Sequence, residues 1–326
     1  MGTAASNPAR SPASPPITRL APSPTGALHL GNARTFLINL ALARRNGWKI
    51  VMRIEDLDGP RIKLDADRVM LDTLAWLGLD WDSGPTWQSH DLEPYRAAMR
   101  TLAQRALVFP CDLTRAQIEA ASSAPQQDGP SESRFPRELR PGIGARAFSD
   151  ESTNWRFVVG DDAVSFTDAV YGPVTHTPAD SIGDFVVWTK RGTPSYQLAV
   201  VVDDARQGVT HVVRGDDLLD STSRQILLYR ALGLREPGAW MHLPLVVGED
   251  GKRLAKRHGD TRLLTYRERG VAPERIVGLL ACWSGITTDR TEMDAREFAQ
   301  RFDVGSMSKD QTVFSKEDEA WLLGSS

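Results

Sequence analysis

The chain has only two cysteines in 326 residues, Cys111 and Cys282, far apart in the sequence. They offer neither a disulfide framework nor the four-ligand set of a structural zinc, and they fit a reducing, cytoplasmic setting. Long apolar runs are missing too. No stretch approaches the roughly 20 residues of a membrane span, and the first residues lack the apolar core of a signal peptide, so no membrane partner is expected. Nor is there an excess of one charge: Lys and Arg number 39 against 42 Asp and Glu, a net −3. That excludes a broad electrostatic nucleic-acid binder while leaving room for a local basic face. What is present is 41% hydrophobic content, enough for one large domain with a smaller appendage.

Residues 1–16 are rich in Ala, Ser and Pro without hydrophobic periodicity and read as a disordered leader. From there the pattern predicts a strand over 17–21, an amphipathic helix over 32–45 stopped by Gly47, and a strand over 48–54, together a βαβ unit. Helical periodicity returns over 66–77 and 94–107, and a polar, Pro-rich stretch over 122–144 belongs to an insert spanning about 108–150. A second half follows, with strands over 198–202, 211–213 and 243–247 and a helix over 221–232. Strands alternating with helices imply an α/β fold with a doubly wound, parallel, Rossmann-type sheet, here over 17–262. Residues 263–326 turn helical, with a helix over 273–280, and no internal repeat is visible.

The run Pro22-Ser23-Pro24-Thr25-Gly26-Ala27-Leu28-His29-Leu30-Gly31-Asn32 lies between the first strand and the first helix, the edge where such sheets bind nucleotides. Gly26 and Gly31 would let a ligand approach the backbone, the helix N-terminus favours phosphate, and His29 can hydrogen-bond a transferring phosphoryl group. Taken alone, the segment reads first as a Pro/Gly turn with a capping histidine.

His29-Leu30-Gly31-Asn32 resembles the first signature of class I aminoacyl-tRNA synthetases, and the run from Arg19 through Ala33-Arg34-Thr35 resembles its glutamyl version. Arg53-Ile54-Glu55-Asp56-Leu57-Asp58, Tyr196-Gln197-Leu198-Ala199-Val200-Val201-Val202-Asp203-Asp204 and His211-Val212-Val213-Arg214-Gly215-Asp216-Asp217 resemble further blocks of that family, in its order. The resemblance implies a glutamate site from Arg19, Ser23, Glu55, Tyr196 and Arg214, with Glu55 meeting the ammonium and an arginine clamping the side-chain carboxylate. A ligand with two carboxylates and one ammonium needs fixed cations and an acidic or π-rich contact. From the residues alone, Arg19 and Arg214 also read as sheet-edge partners of Glu55 or Asp216.

Arg253-Leu254-Ala255-Lys256-Arg257 stands where the family carries a second signature, usually Lys-Leu-Ser-Lys. Lys256 keeps the ammonium that would stabilise charge at the α-phosphate, Arg253 keeps charge with another geometry, and Ala255 lacks the hydroxyl. By itself this is a solvated basic loop. The resemblance implies ATP with Mg²⁺ as cofactor, held by Pro22, Thr25, Gly26, His29, Gly31, Asn32, Arg253 and Lys256, with His29 and Lys256 in the catalytic roles. Pro110-Cys111-Asp112-Leu113 resembles the place of a zinc-binding Cys-x-Cys pair, but Leu113, Phe135 and Leu139 replace the other ligands, so no zinc is expected.

The resemblance covers about residues 17–323, ends in a helical stem-contact-like region over 263–326, and includes no anticodon-binding domain. This layout, with Asp58-Gly59-Pro60-Arg61, Trp81-Asp82 and Trp87-Gln88-Ser89, resembles the truncated glutamyl-queuosine tRNA(Asp) synthetases. Membership of that branch implies a monomeric ligase that activates L-glutamate with ATP and transfers it to queuosine at the wobble position of tRNA(Asp). A minimal glutamyl-tRNA synthetase charging the tRNA 3′ end, and a non-catalytic RNA-binding paralogue, are the other two readings.

Overall fold

A computed structural model describes residues 14–24, 27–57, 65–114, 116–118, 134–252, 254 and 261–324. Its opening unit is β1 (Ile17–Leu20), α1 (Leu30–Asn46) and β2 (Lys49–Ile54), followed by α2 (Ala66–Trp76), β3 (Ser83–Trp87) and α3 (Glu93–Gln104). Gly47 closes α1 in the left-handed region at φ 68°, a conformation glycine adopts without steric cost. Strands β1, β2 and β3 pair in parallel, with Arg19 opposite Val51.

The middle of the chain forms an antiparallel layer that the sequence pattern does not announce. It contains β4 (Val108–Pro110), β5 (Trp155–Phe157), β6 (Val164–Asp168), β7 (Gly172–His176), the short helix α4 (Pro178–Ser181), β8 (Phe185–Thr189) and β9 (Thr193–Pro194). Strands β4, β5, β8 and β9 make one sheet, while β6 and β7 are a hairpin. The Cys111 corner lies beside it. Phe109, Cys111, Ile118 and Phe135 form a small apolar cluster with Leu113 and Leu139 packed on it.

Next come α5 (Tyr196–Arg206), β10 (His211–Gly215), α6 (Leu219–Leu232), β11 (Ala239–Leu243) and β12 (Val246–Val247). Two sequence expectations fail here. Residues 198–202 are helical, because Gln197 through Asp204 are all buried and burial on every side of a helix overrides the β preference of three valines. The strand expected over 243–247 is two, parted at Pro244, which cannot donate to a ladder.

Strands β10 and β11 pair in parallel, β11 meets β6, and the Thr210 N–H donates to the Ile17 carbonyl at 2.8 Å, setting β10 beside β1. The chain therefore leaves β1 toward β2 on one side and β10 toward β11 on the other. Neighbouring residues of β10 face opposite layers: Val213 joins the apolar cluster of α1, β1 and β2, and Val212 joins that of α3, α5 and α6.

The C-terminal part comprises α7 (Leu263–Glu268), α8 (Pro273–Trp283), α9 (Ala295–Arg301), β13 (Thr312–Val313) and α10 (Lys316–Leu323). Ile276, Leu279, Phe298 and Leu322 share the apolar cluster with α1. Fully buried Arg34 donates to the carbonyls of Pro244 (2.8 Å) and Trp283 (3.2 Å) and to Ser284 Oγ (3.4 Å). Burial lowers its pKa to about 10 against the opposing fields of Asp216 and Tyr171. Among the described residues no helix is long and apolar enough to cross a membrane.

Candidate active site

The point where chain direction reverses, between the carboxyl ends of β1 and β10, is where an open α/β sheet leaves a crevice. A cavity of about 320 Å³ opens there, lined among others by Arg19 from β1, Glu55 just past β2, Tyr196 at the start of α5 and Arg214 from β10. His29, Gly31 and Asn32 form its other wall. Four of the five residues expected to bind glutamate thus meet in one place. Ser23 lies instead on an adjoining cavity of about 540 Å³, which shares Glu55 and Tyr196 with the first.

The two arginines do not pair as sheet-edge residues. Arg19, 4% exposed, donates from Nε to Asp204 at 3.4 Å and from Nη1 to the Val213 carbonyl at 3.2 Å. A guanidinium has five N–H groups, so three remain for the cavity. Arg214, 5% exposed, donates from Nε to His242 Nε2 (3.0 Å), from Nη1 to Gln225 (2.8 Å), and from Nη2 to Thr222 (2.7 Å) and the Leu218 carbonyl (3.3 Å). One Nη1 hydrogen remains. Among the described residues no carboxylate lies within ion-pair distance of Arg214, and burial lowers its pKa. A buried cation without a counter-ion at a cavity wall is costly unless an anion arrives.

Glu55 is held by Arg53, whose Nη2 lies 3.2 Å from Oε1, while Arg53 Nη1 lies 2.6 Å from Asp204 and 2.8 Å from Gln207. Burial raises the Glu55 pKa, with Arg53 and Arg19 pulling the other way. Burial also works against the Arg53 charge, but Asp204, Glu55 and Asp203 outweigh it and hold that group above its ordinary value. Asp203 and Asp204 sit in the last turn of α5, where the helix dipole disfavours carboxylates, so their arginine partners must offset the placement. Tyr196 is 39% exposed, with its ring on both cavities.

On the opposite wall His29 caps α1 and also belongs to the cavity lining. His29 Nδ1 accepts the Gly31 N–H at 3.2 Å, Asn32 Oδ1 accepts the His29 N–H at 3.2 Å, and the ring still lines the cavity. A Cβ on Gly31 would come within 3.1 Å of that ring. Pro22 accepts the Glu55 N–H at 3.0 Å through its carbonyl, joining the first loop to the end of β2. Thr25, Gly26, Arg253 and Lys256 lie outside the described residues.

Sequence reading missed Asp204, Arg53, His242 and Asp168 as members of this site. The adjacent carboxylates Asp203-Asp204 at the end of an apolar run were the available signal, since buried acids need cationic partners. His242 carried no such signal in its strand.

Residues 17–321 match the family described as tRNA synthetases class I (E and Q), catalytic domain. A glutamyl-Q tRNA(Asp) synthetase of Symbiobacterium thermophilum is 44% identical over 94% of this chain and 98% of its own length. Another, of Rhodopirellula baltica, is 46% identical over 84% of this chain and 86% of its own. Among solved structures, a glutamate tRNA ligase of Elizabethkingia meningosepticum superposes with a TM-score of 0.77 at 27% identity, covering 94% of this chain and 68% of that one.

Proposed function

The chain belongs to the class I tRNA synthetase catalytic family for glutamate and glutamine (E and Q), and we propose that it activates L-glutamate with ATP and transfers it to queuosine in tRNA(Asp). Its similarity to two glutamyl-Q tRNA(Asp) synthetases over 98% and 86% of their lengths supports the acceptor. The observation that carries the substrate is the charge pattern of the first cavity: two buried arginines, one of them with no carboxylate within ion-pair distance among the described residues, beside the half-buried carboxylate of Glu55, with exposed Asp217 also on the lining. Glutamate has the complementary set, two carboxylates and one ammonium. Arg19, with three uncommitted N–H groups, suits the forked side-chain clamp; Arg214 offers one N–H; Glu55 receives the ammonium; Tyr196 closes the side. Ser23 contributes from the adjoining cavity. Glutamine would leave a guanidinium short of its anion, so the pocket selects glutamate.

ATP with Mg²⁺ would be held by Pro22, Thr25, Gly26, His29, Gly31 and Asn32, together with Arg253 and Lys256. A glutamate carboxylate oxygen attacks the α-phosphorus, a new P–O bond forms, and the bond to pyrophosphate breaks. His29 and Lys256 stabilise the charge that develops. A queuosine ring hydroxyl then attacks the activated carbonyl, AMP leaves with the bonding electrons, and the hydroxyl proton is released. The adjoining cavity, lined by Thr189, Arg191, Thr193 and Ser195 and by the apolar Leu57, Phe185 and Val186, would receive the modified base.

Two assays test this reading on the full chain. Glutamate-dependent pyrophosphate exchange should proceed without RNA. Labelled glutamate should then pass to aspartate tRNA bearing queuosine and not to the unmodified transcript, with digestion mapping putting the label on the wobble nucleotide. Label at the 3′ end of unmodified tRNA(Glu) would replace the acceptor assignment with the minimal glutamyl-tRNA synthetase reading. No exchange at all would leave the non-catalytic paralogue.

We also propose that the fold carries no zinc. Cys111 packs among Phe109, Ile118 and Phe135, and among the described residues no three His, Cys, Asp or Glu side chains gather as a metal site. Elemental analysis of the purified chain should find well under one equivalent; one equivalent resistant to mild chelation overturns the proposal.

A further inference from the structure

Arg214 is the end of a buried polar chain that crosses three strands. Asp168 ends β6, His242 lies on β11, and Arg214 stands opposite His242 in the β10–β11 register. Asp168 Oδ1 accepts the N–H groups of Val170 (2.9 Å) and Tyr171 (3.1 Å), and Oδ2 accepts the His242 backbone N–H (3.0 Å) and meets His242 Nδ1 at 2.7 Å. His242 and Asp168 have no more than 1% exposure.

This geometry sets the histidine's protonation. The His242 bond, with the backbone donors, holds the Asp168 carboxyl below the usual carboxylate range despite its burial, so it only accepts, and His242 Nδ1 must carry the hydrogen. Arg214 Nε only donates, so Nε2 of the same ring must be bare. Burial and the Arg214 charge push the ring's pKa below its ordinary value, with Arg19 acting the same way and Asp168 opposing. A protonated ring would set donor against donor at Arg214. The Thr222 hydroxyl touches both groups, 2.7 Å from Arg214 Nη2 and 3.1 Å from His242 Nε2. Trp240 supports the guanidinium from its face, 5.5 Å away.

We propose that Asp168 and His242 are positioning residues for amino-acid selection: a carboxylate–imidazole–guanidinium relay fixes the rotamer of Arg214 and delivers compensating negative charge to its rear edge. The Nη1 hydrogen is thereby left for a substrate carboxylate: Glu55 and Asp217 line the same cavity, but among the described residues no carboxylate lies within ion-pair distance of Arg214. The relay rests on the reading of the first cavity as the glutamate site.

His242→Gln and His242→Phe separate the relay from simple packing. A glutamine amide can present one N–H to Asp168 and one oxygen to Arg214; phenylalanine fills space and does neither. RNA-free pyrophosphate exchange on the full chain, with KM for glutamate and for ATP measured separately, is the readout. His242→Phe should raise the glutamate KM by about 10- to 100-fold, the loss of one hydrogen bond to a charged group, with the ATP KM within about 2-fold. His242→Gln should recover most of that loss. An unchanged glutamate KM in His242→Phe, or equal rises in both KM values, overturns the relay. Arg214→Ala run in parallel distinguishes the two levels: normal glutamate activation there defeats the pocket reading itself, whereas its loss beside a normal His242→Phe defeats the relay alone. If His242→Phe does not fold, ¹⁵N NMR of the unmutated chain decides. The relay requires a neutral ring with its hydrogen on Nδ1 from about pH 6 to 8, and a hydrogen on Nε2 or a titrating imidazolium in that range overturns it.

Discussion

Arg214→Ala is expected to lower kcat/KM for glutamate activation by about 30- to 5,000-fold, the equivalent of 2–5 kcal/mol for truncating one side of a buried charge pair. The loss has two sources. One carboxylate of the substrate enters a dry site with no cation opposite it. In addition, His242, Gln225 and Thr222, which now converge on the guanidinium, lose their common partner. Arg214→Lys should restore little, because an ammonium cannot reach three acceptors held in the plane of a guanidinium. Pyrophosphate exchange measures the effect and a thermal melt controls for folding. A folded Arg214→Ala variant with normal kcat/KM would show that the cavity is not the glutamate site.

Asp204→Ala should have its largest effect on stability. The carboxylate is buried beneath Arg19 and Arg53. Its removal leaves Arg53 with Glu55 alone and Arg19 with no carboxylate within ion-pair distance among the described residues. Breaking a buried ionic cluster from one side costs about 3–5 kcal/mol, because the remaining charges stay desolvated. Chemical denaturation should show a lower midpoint at unchanged slope, and Asp204→Asn, which keeps shape and hydrogen bonding, a smaller drop. Glutamate activation should fall in both variants, since Arg19 loses the group that orients its Nε edge. A midpoint within error of the unmutated chain would mean that Asp204 does not balance the arginines.

The opening βαβ unit was legible because each element carries its own local stop or period, as Gly47 does for α1. Residues 198–202 go against the local pattern for a reason no window can repair: three valines favour a strand, and distant contacts from α3, α6 and β8 make the segment a buried helix. The antiparallel strands are two to five residues long and leave no usable period. At the site, Arg19, Glu55, Tyr196 and Arg214 stood in recognisable blocks. Asp168 and His242 act through partners 74 residues apart in the chain, a pairing that single-sequence spacing does not encode.

Arg34 bears on how the chain can be divided. Its guanidinium grips the loop after β11 and the end of α8 at once, from a helix that begins at the cavity wall. Cutting away the C-terminal helices would therefore expose the apolar side of α1 and strip a desolvated cation of two of its three acceptors. The sheet and α1 are not separable from the C-terminal helices. Truncation series, and designs that graft this catalytic half onto other RNA-binding modules, should keep the chain through α8 and its packed neighbours.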